Sequence, residues 1–146
     1  MTELFERLRA LALPPDDYVI FGSGPLVVRG VIEATNDLDV LCRGVAWEAV
    51  CALAAPKYVR QWDVELVSLY DDRLTFGTTW AIGEVDVDEV IDSAETIDGL
   101  PFAKLAYVVE YKKKSARPKD LTHLEALARF ERLEDGPPGT TSGEPT

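Results

Sequence analysis

The chain has 146 residues, of which 47% are hydrophobic and 28% are charged, and its formal net charge is −11. This length suits a single domain that can bury a core, and the composition is that of an ordinary globular protein. The negative charge argues against a general binder of nucleic-acid backbones, which needs a basic surface. It leaves a nucleotide substrate open, because a bound Mg²⁺ ion bridges protein carboxylates to phosphates.

The cysteines and the apolar runs bear on the cellular compartment. Cys42 and Cys51 lack the spacing of a zinc site, and both lie in apolar stretches. We therefore interpret them as small core residues of a reduced, cytosolic protein. No apolar run follows a basic N-terminal region or approaches the ~20 residues that cross a bilayer, so we expect a cytoplasmic protein without a membrane segment.

The first part of the chain predicts helices alternating with strands. Residues 2–13 place apolar side chains at helical spacing, and two prolines end that helix. An apolar run then predicts a buried strand, and after a Gly-Ser-Gly-Pro break Pro25 is tolerated in the first turn of a helix. The predicted elements are helix 2–13, strand 18–21, a helix over 26–31, strand 37–42 and helix 44–55.

The second part predicts a hairpin, another strand and two helices. A turn-forming Asp-Asp-Arg separates two β-type runs, 64–70 and 74–80. The segment 84–91 (EVDVDEVI) alternates polar and apolar residues, which is typical of a strand with one acidic face. Helices are predicted over 102–114 and 118–133, and the domain over 1–134. Residues 135–146 are rich in Gly, Pro, Thr and Ser, so we expect a disordered tail.

Two carboxylates open the second predicted strand. Asp37 and Asp39 point to one side of it, about 7 Å apart along the chain. Leu38, Val40 and Cys42 then face the opposite way, into the core. Two neighbouring carboxylates repel each other, and a hard cation such as Mg²⁺ or Mn²⁺ relieves that repulsion through oxygen ligands.

A third carboxylate would complete such a metal site. Glu84, Asp86 and Asp88 share one face of the predicted strand 84–91. Asp86 lies mid-strand between two valines, so we favour it, with Asp88 as the alternative. A site of this kind holds one or two metal ions that activate an attacking hydroxyl and neutralise phosphate charge.

Phosphate contacts are predicted from the turn after the first strand. Gly22 lets the backbone approach a ligand closely, and Ser23 adds a hydroxyl. Lys112 is most simply a cation near a helix C-terminus, and it could also reach the phosphates. We expect His123, the only histidine, to be a surface or boundary residue, because it has no partner at the spacing of a metal site or a catalytic triad.

Three segments resemble the nucleotidyltransferase superfamily with the DNA polymerase β-like fold. The segment FGSGPLVVRGVIEATNDLDVL resembles its signature of a Gly-Ser turn, a short helix and Asp-x-Asp. The segment GEVDVDEVI is similar to the strand that carries the third carboxylate. The segment LPFAKLAYVVEYKKKSARPKDLTHLEAL is similar to the closing region of small bacterial members. The resemblance covers roughly residues 18–130.

The resemblance implies an α/β fold with a short mixed sheet and helices packed mainly on one side. It implies transfer of a nucleoside monophosphate from a nucleoside triphosphate to a hydroxyl acceptor, a small molecule or a protein. Asp37, Asp39 and Asp86 would hold Mg²⁺ or Mn²⁺, and Ser23 would contact the phosphates.

Glu33 departs from that family pattern. Many of the small relatives carry an arginine a few residues before Asp-x-Asp, where this chain has Glu33 and no arginine. An alternative is therefore a catalytically degenerate binding protein, antitoxin-like or regulatory, with a protein partner. A metal-dependent phosphohydrolase is disfavoured, because such enzymes usually need His-Asp pairs and the chain has one histidine.

Overall fold

The structure is a computed structural model that describes residues 2–79 and 86–135. These residues form an α/β fold with a mixed sheet. The helices are α1 Thr2–Ala10, α2 Gly24–Val28, α3 Gly44–Leu53, α4 Val87–Asp92, α5 Leu105–Ser115 and α6 Pro118–Asp135. The strands are β1 Tyr18–Phe21, β2 Leu38–Cys42, β3 Lys57–Val59, β4 Val64–Leu69, β5 Leu74–Gly77, β6 Glu95–Ile97 and β7 Leu100–Phe102.

The sheet has the strand order β3-β4-β5-β2-β1-β7-β6. β2 runs antiparallel to β1 and parallel to β5, whereas β1 and β7 are parallel. The register pairs Asp39 with Phe21 of β1 and with Thr75 of β5. The end of β1 and the start of β2 therefore lie side by side, at one end of these two central strands.

Alternate residues of β1 face two separate cores. Tyr18 and Ile20 pack in a first core, to which α1 and α3 contribute. Val19 and Phe21 pack in a second core, to which α2, α4, α5 and α6 contribute. Because successive strand residues point to opposite faces, the two cores lie on opposite sides of the sheet. The expectation of helices mainly on one side is met only in part. Four helices contribute to the second core, but α1 and α3 cover the other face.

Most predicted elements are found, with shifted bounds. Strand 18–21 is confirmed, and the predicted helix over 26–31 begins earlier, at Gly24, with Pro25 in its first turn. The helix predicted over 102–114 begins at Leu105, because Leu100–Phe102 pairs with β1 and β6. β3 and β6 have three residues each and mostly exposed side chains, so neither shows a hydrophobic alternation. The predicted tail from residue 136 onward lies outside the described residues.

The strand predicted over 84–91 is wrong where the structure describes it. Val87–Asp92 forms α4, and the side chain of Asp86 caps this helix by accepting from the Glu89 N–H at 3.2 Å. Val90 and Ile91 are both buried in the second core. Adjacent residues of a strand cannot face the same core, whereas adjacent residues of a helix can. Residues 84 and 85 lie outside the described part of the chain.

Gly24 starts α2 directly beneath core side chains. A Cβ atom at this position would lie 2.5 Å from Ile20 Cγ2 and 2.9 Å from Leu38 Cδ1. Ile20 and Leu38 are fully buried, so neither has free space into which it can move. The absence of a side chain at Gly24 therefore lets α2 and the turn before it lie close to the sheet.

We expect Gly24→Ala to lower the free energy of unfolding by about 1–3 kcal/mol, because it overpacks the junction of α2 with the sheet. Urea denaturation measures the change. Gly30→Ala is the control, because its Cβ would meet no atom within 4 Å and only its φ of 78° adds strain. A Gly24→Ala protein as stable as the wild type would contradict this packing.

Candidate functional site

The candidate site begins where the chain leaves β1. Gly22 follows Phe21 with φ 66°, a left-handed backbone conformation that glycine adopts without strain. A Cβ at Gly22 would lie 3.0 Å from Asp39 Oδ2, which is tighter than an ordinary contact. Glycine thus lets the turn that carries Ser23 lie directly against the carboxylate of Asp39.

Asp39 is a desolvated carboxylate among mixed charges. Its pKa is raised to about 6, first by burial and then by the negative charge of Asp37. The positive charges of Lys119, Arg117 and Lys112 oppose this rise. The first two predicted metal ligands therefore lie close enough to interact, and three cations of the α5–α6 region act on Asp39.

Lys112 is a buried ammonium group in the last turn of α5, with a side chain 2% exposed. Its Nζ lies 3.3 Å from Ser23 Oγ, 3.4 Å from Asp120 Oδ1 and 3.1 Å from His123 Nδ1. An ammonium group has three N–H donors, so these contacts can use all of them. Burial lowers the pKa of Lys112, and the charge of Asp120 opposes that effect. The structure thus brings Lys112 to the turn at Ser23, and its contact with phosphates stays a prediction.

Asp120 is the fully buried counter-ion of this cluster. Its Oδ2 accepts from the backbone N–H of Arg117 at 3.1 Å and from Arg117 Nε at 2.8 Å. Burial acts to raise the pKa of Asp120, but the hydrogen bonds from Arg117 hold it well below its usual range. Two cations, Lys112 and Arg117, therefore share one carboxylate, which leaves net positive charge beside Ser23. Sequence patterns did not identify Asp120 as part of the site.

His123 faces the same cluster from α6. Its Nδ1 lies 3.1 Å from Lys112 Nζ and 3.5 Å from Ser23 Oγ. An ammonium group can only donate, so Nδ1 accepts and the neutral ring carries its proton on Nε2. His123 is half-buried, as expected of a boundary residue, but it has hydrogen-bond partners that the sequence did not indicate. No local pattern could indicate this contact, because Ser23 and His123 are separated by 100 residues in the chain.

Asp86 and Asp88 are held by other contacts. Asp86 caps α4, and Asp88 Oδ1 accepts from Arg43 Nη1 at 2.9 Å. Arg43 also donates to Asp92 at 2.6 Å. Arg43 follows β2 directly, about 13 Å along the strand from Asp39. In residues 2–79 and 86–135, no three or more His, Cys, Asp or Glu side chains come together as a metal site.

The two remaining carboxylates suit a cation that arrives with its substrate. β5 places Thr75, rather than an acid, opposite Asp39. Mg²⁺ commonly binds one or two protein carboxylates and completes its shell with water and substrate phosphates. Asp37 and Asp39 fit that role, with Ser23 and Lys112 on the phosphate side. They do not form a cage that would hold a metal without a ligand.

Comparisons with protein-family models, curated proteins and solved structures find no match for this chain. Within the described residues, no helix combines the length and the apolar character required to cross a membrane. The interpretation of the site therefore depends on its own geometry and on the motifs in the sequence.

We expect Asp39→Asn to stabilise the protein at neutral pH. The pKa of Asp39 is about 6 in the folded chain against 3.8 for an unperturbed Asp, so the charged form costs stability above pH 6. With allowance for partial solvent screening, the gain at pH 7.5 is about 2 kcal/mol. It should decline as the pH falls through 6 and be nearly absent only below about pH 3, where both states bind the proton.

Thermal melting without divalent cations measures this effect. Asp37→Asn is the matched control, because Asp37 is exposed and should give a smaller gain. A gain from Asp39→Asn that is equal at pH 7.5 and pH 4 would contradict the desolvated state of this carboxylate.

We expect Arg43→Ala to lower the free energy of unfolding by about 1 kcal/mol, because it leaves Asp17, Asp88 and Asp92 without their shared cation. The difference from wild type should shrink in about 1 M NaCl, which screens these charges. Lys114→Ala removes a single exposed pair with Glu110 and should cost less. A loss that Mg²⁺ reverses would instead favour a metal role for Asp88.

Proposed function

We propose that this chain is a metal-dependent nucleotidyltransferase that transfers a nucleoside monophosphate from a nucleoside triphosphate to a hydroxyl acceptor. One observation carries the proposal. The Gly22–Ser23 turn lies against Asp39 on one side and contacts Lys112 on the other. Groups that suit a cation and groups that suit phosphates therefore meet where β1 ends and β2 begins.

The phosphate side of the site is cationic in an otherwise acidic chain. Residues 112–119 (KKKSARPK) include five cations and no acid, whereas the whole chain has a net charge of −11. Lys112 and the Ser23 hydroxyl provide donors, and Gly22 has the left-handed backbone conformation that occurs in anion-binding turns. Charge-assisted hydrogen bonds to phosphate are stronger than neutral ones, so these groups suit a triphosphate.

The carboxylate side suits the reacting phosphate. A bound divalent cation supplies Lewis-acid chemistry, which neutralises phosphate charge and favours ionisation of an attacking hydroxyl. Asp37 and Asp39 would hold it. Because Asp39 is desolvated beside Asp37, a bound cation would compensate both the lost hydration and the repulsion, and Asp39 would hold it in the unprotonated form.

A catalytically degenerate binding protein is the second candidate. The absence of a converged third carboxylate in the described residues favours it, as does Glu33 before Asp-x-Asp. Tyr58 on edge strand β3 is 59% exposed and Trp62 beyond it is 45% exposed, so this edge could carry a protein partner. This candidate implies a partner that co-purifies with the chain and no turnover of nucleotide.

The nucleotidyltransferase proposal is tested by calorimetry with Mg²⁺ and each of ATP, GTP, CTP and UTP. We expect at least one to bind with a dissociation constant in the millimolar range or below. The double variant Asp37→Asn with Asp39→Asn should weaken binding at least tenfold, or about 1.4 kcal/mol. Asp92→Asn is the control, because Asp92 belongs to the Arg43 cluster. If none of the four binds at millimolar concentration, the proposal fails.

Release of pyrophosphate separates the two candidates. Binding with slow pyrophosphate release that requires Asp39 supports an enzyme whose acceptor is still to be supplied. Binding without any release, together with a co-purifying protein, supports the degenerate binding protein.

A further inference from the structure

We infer that His123 is a positioning residue that takes up a proton when a polyphosphate group binds at Ser23 and Lys112. The inference rests on the proposed function for its choice of a polyphosphate as the ligand. It concerns how the site adjusts to that ligand, and it requires no metal ion and no turnover.

The free site uses every donor of Lys112. Its Nζ contacts Ser23 Oγ at 3.3 Å, Asp120 Oδ1 at 3.4 Å and His123 Nδ1 at 3.1 Å. With a side chain only 2% exposed, Lys112 has little water to bind in their place. The ammonium group is therefore held between three acceptors, and a phosphate oxygen must replace one of them to bind it.

His123 is the acceptor that can give way. Asp120 is fully buried, so losing the ammonium group would leave its charge to Arg117 alone. A neutral imidazole loses only one hydrogen bond when Lys112 turns away. Its freed Nδ1 can then bind a proton from solvent and donate to Ser23 Oγ, 3.5 Å away, or to the anion.

The charges around His123 decide when this proton binds. Lys112 from α5, Arg117 from the connection, and Lys119 and Asp120 from α6 act on the ring. Burial and then Lys112 lower the pKa of His123, so the free protein keeps the ring neutral. A bound polyphosphate adds several negative charges beside the ring and reverses the balance. Proton uptake then brings a second cation to the anion.

The chain has a single histidine, so every imidazole signal in its proton NMR spectrum belongs to His123. The full chain is titrated between about pH 5 and pH 8.5 without divalent cations, in NaCl or in inorganic tripolyphosphate at equal ionic strength. We expect a His123 pKa below its ordinary value in NaCl and a higher one in tripolyphosphate. The same pKa in both solutions would overturn the inference.

His123→Asn supplies the matched variant. The amide oxygen of Asn can stand where Nδ1 stands and accept from Lys112, but it binds no proton in this range. For the wild type, the dissociation constant of tripolyphosphate should fall about tenfold more between pH 8 and pH 5.5 than for His123→Asn. The comparison also cancels the titration of Asp39 and of tripolyphosphate itself. Equal pH dependence in both proteins would contradict a proton on His123.

The outcomes separate this inference from the proposed function. Binding of a nucleoside triphosphate with Mg²⁺ but no change at His123 overturns the inference alone. A His123 response to tripolyphosphate without binding of any nucleoside triphosphate supports the inference and counts against the nucleotidyltransferase. Failure of both ligands overturns both. If His123→Asn does not fold, the NMR titration of the wild type decides.

Discussion

A buried ammonium group holds the candidate site together. Lys112 of α5 contacts Ser23 at the start of α2 and Asp120 and His123 of α6. A buried charge is unfavourable unless its partners are well placed, so these contacts constrain how the three helices meet. The turn after β1 is in turn held against β2, because Gly22 has no side chain to push Asp39 away. The distance between Lys112 and the carboxylate of Asp39 therefore depends on the contact of this lysine with Ser23 and on the absence of a side chain at Gly22.

The same site carries charges of both signs, each poorly solvated. Burial raises the pKa of Asp39 and lowers the pKa of Lys112, so both groups are shifted toward their neutral forms. Shifts of this kind are common in functional sites, where a ligand supplies the missing counter-charges. A divalent cation would compensate the negative charges of Asp37 and Asp39, and a polyphosphate would compensate the positive charges of Lys112 and Arg117. In the proposed function, a metal-bound triphosphate would supply both counter-charges at once.

The remaining acids show why clustered carboxylates in a sequence need not converge in space. Asp88 and Asp92 bind Arg43 beyond the end of β2, and Asp86 caps α4. Their alternation with valines satisfied the period of a strand, yet the following pair Val90 and Ile91 is buried on one face, which requires a helix. Short amphipathic segments are ambiguous because a few residues fit either period. The core against which they pack decides between them.

The sequence by itself determined β1 and β2, because strand periodicity is a local property of the backbone. It also indicated the Gly22–Ser23 turn, since a left-handed conformation at the end of a buried strand favours glycine. Only the tertiary structure decided that Asp120 and His123 join this turn, about a hundred residues away in the chain. That meeting depends on the position of β1 between β2 and β7 and on the packing of α5 and α6 over the second core. Contacts of this range leave no periodic trace, because they arise from the packing of whole elements.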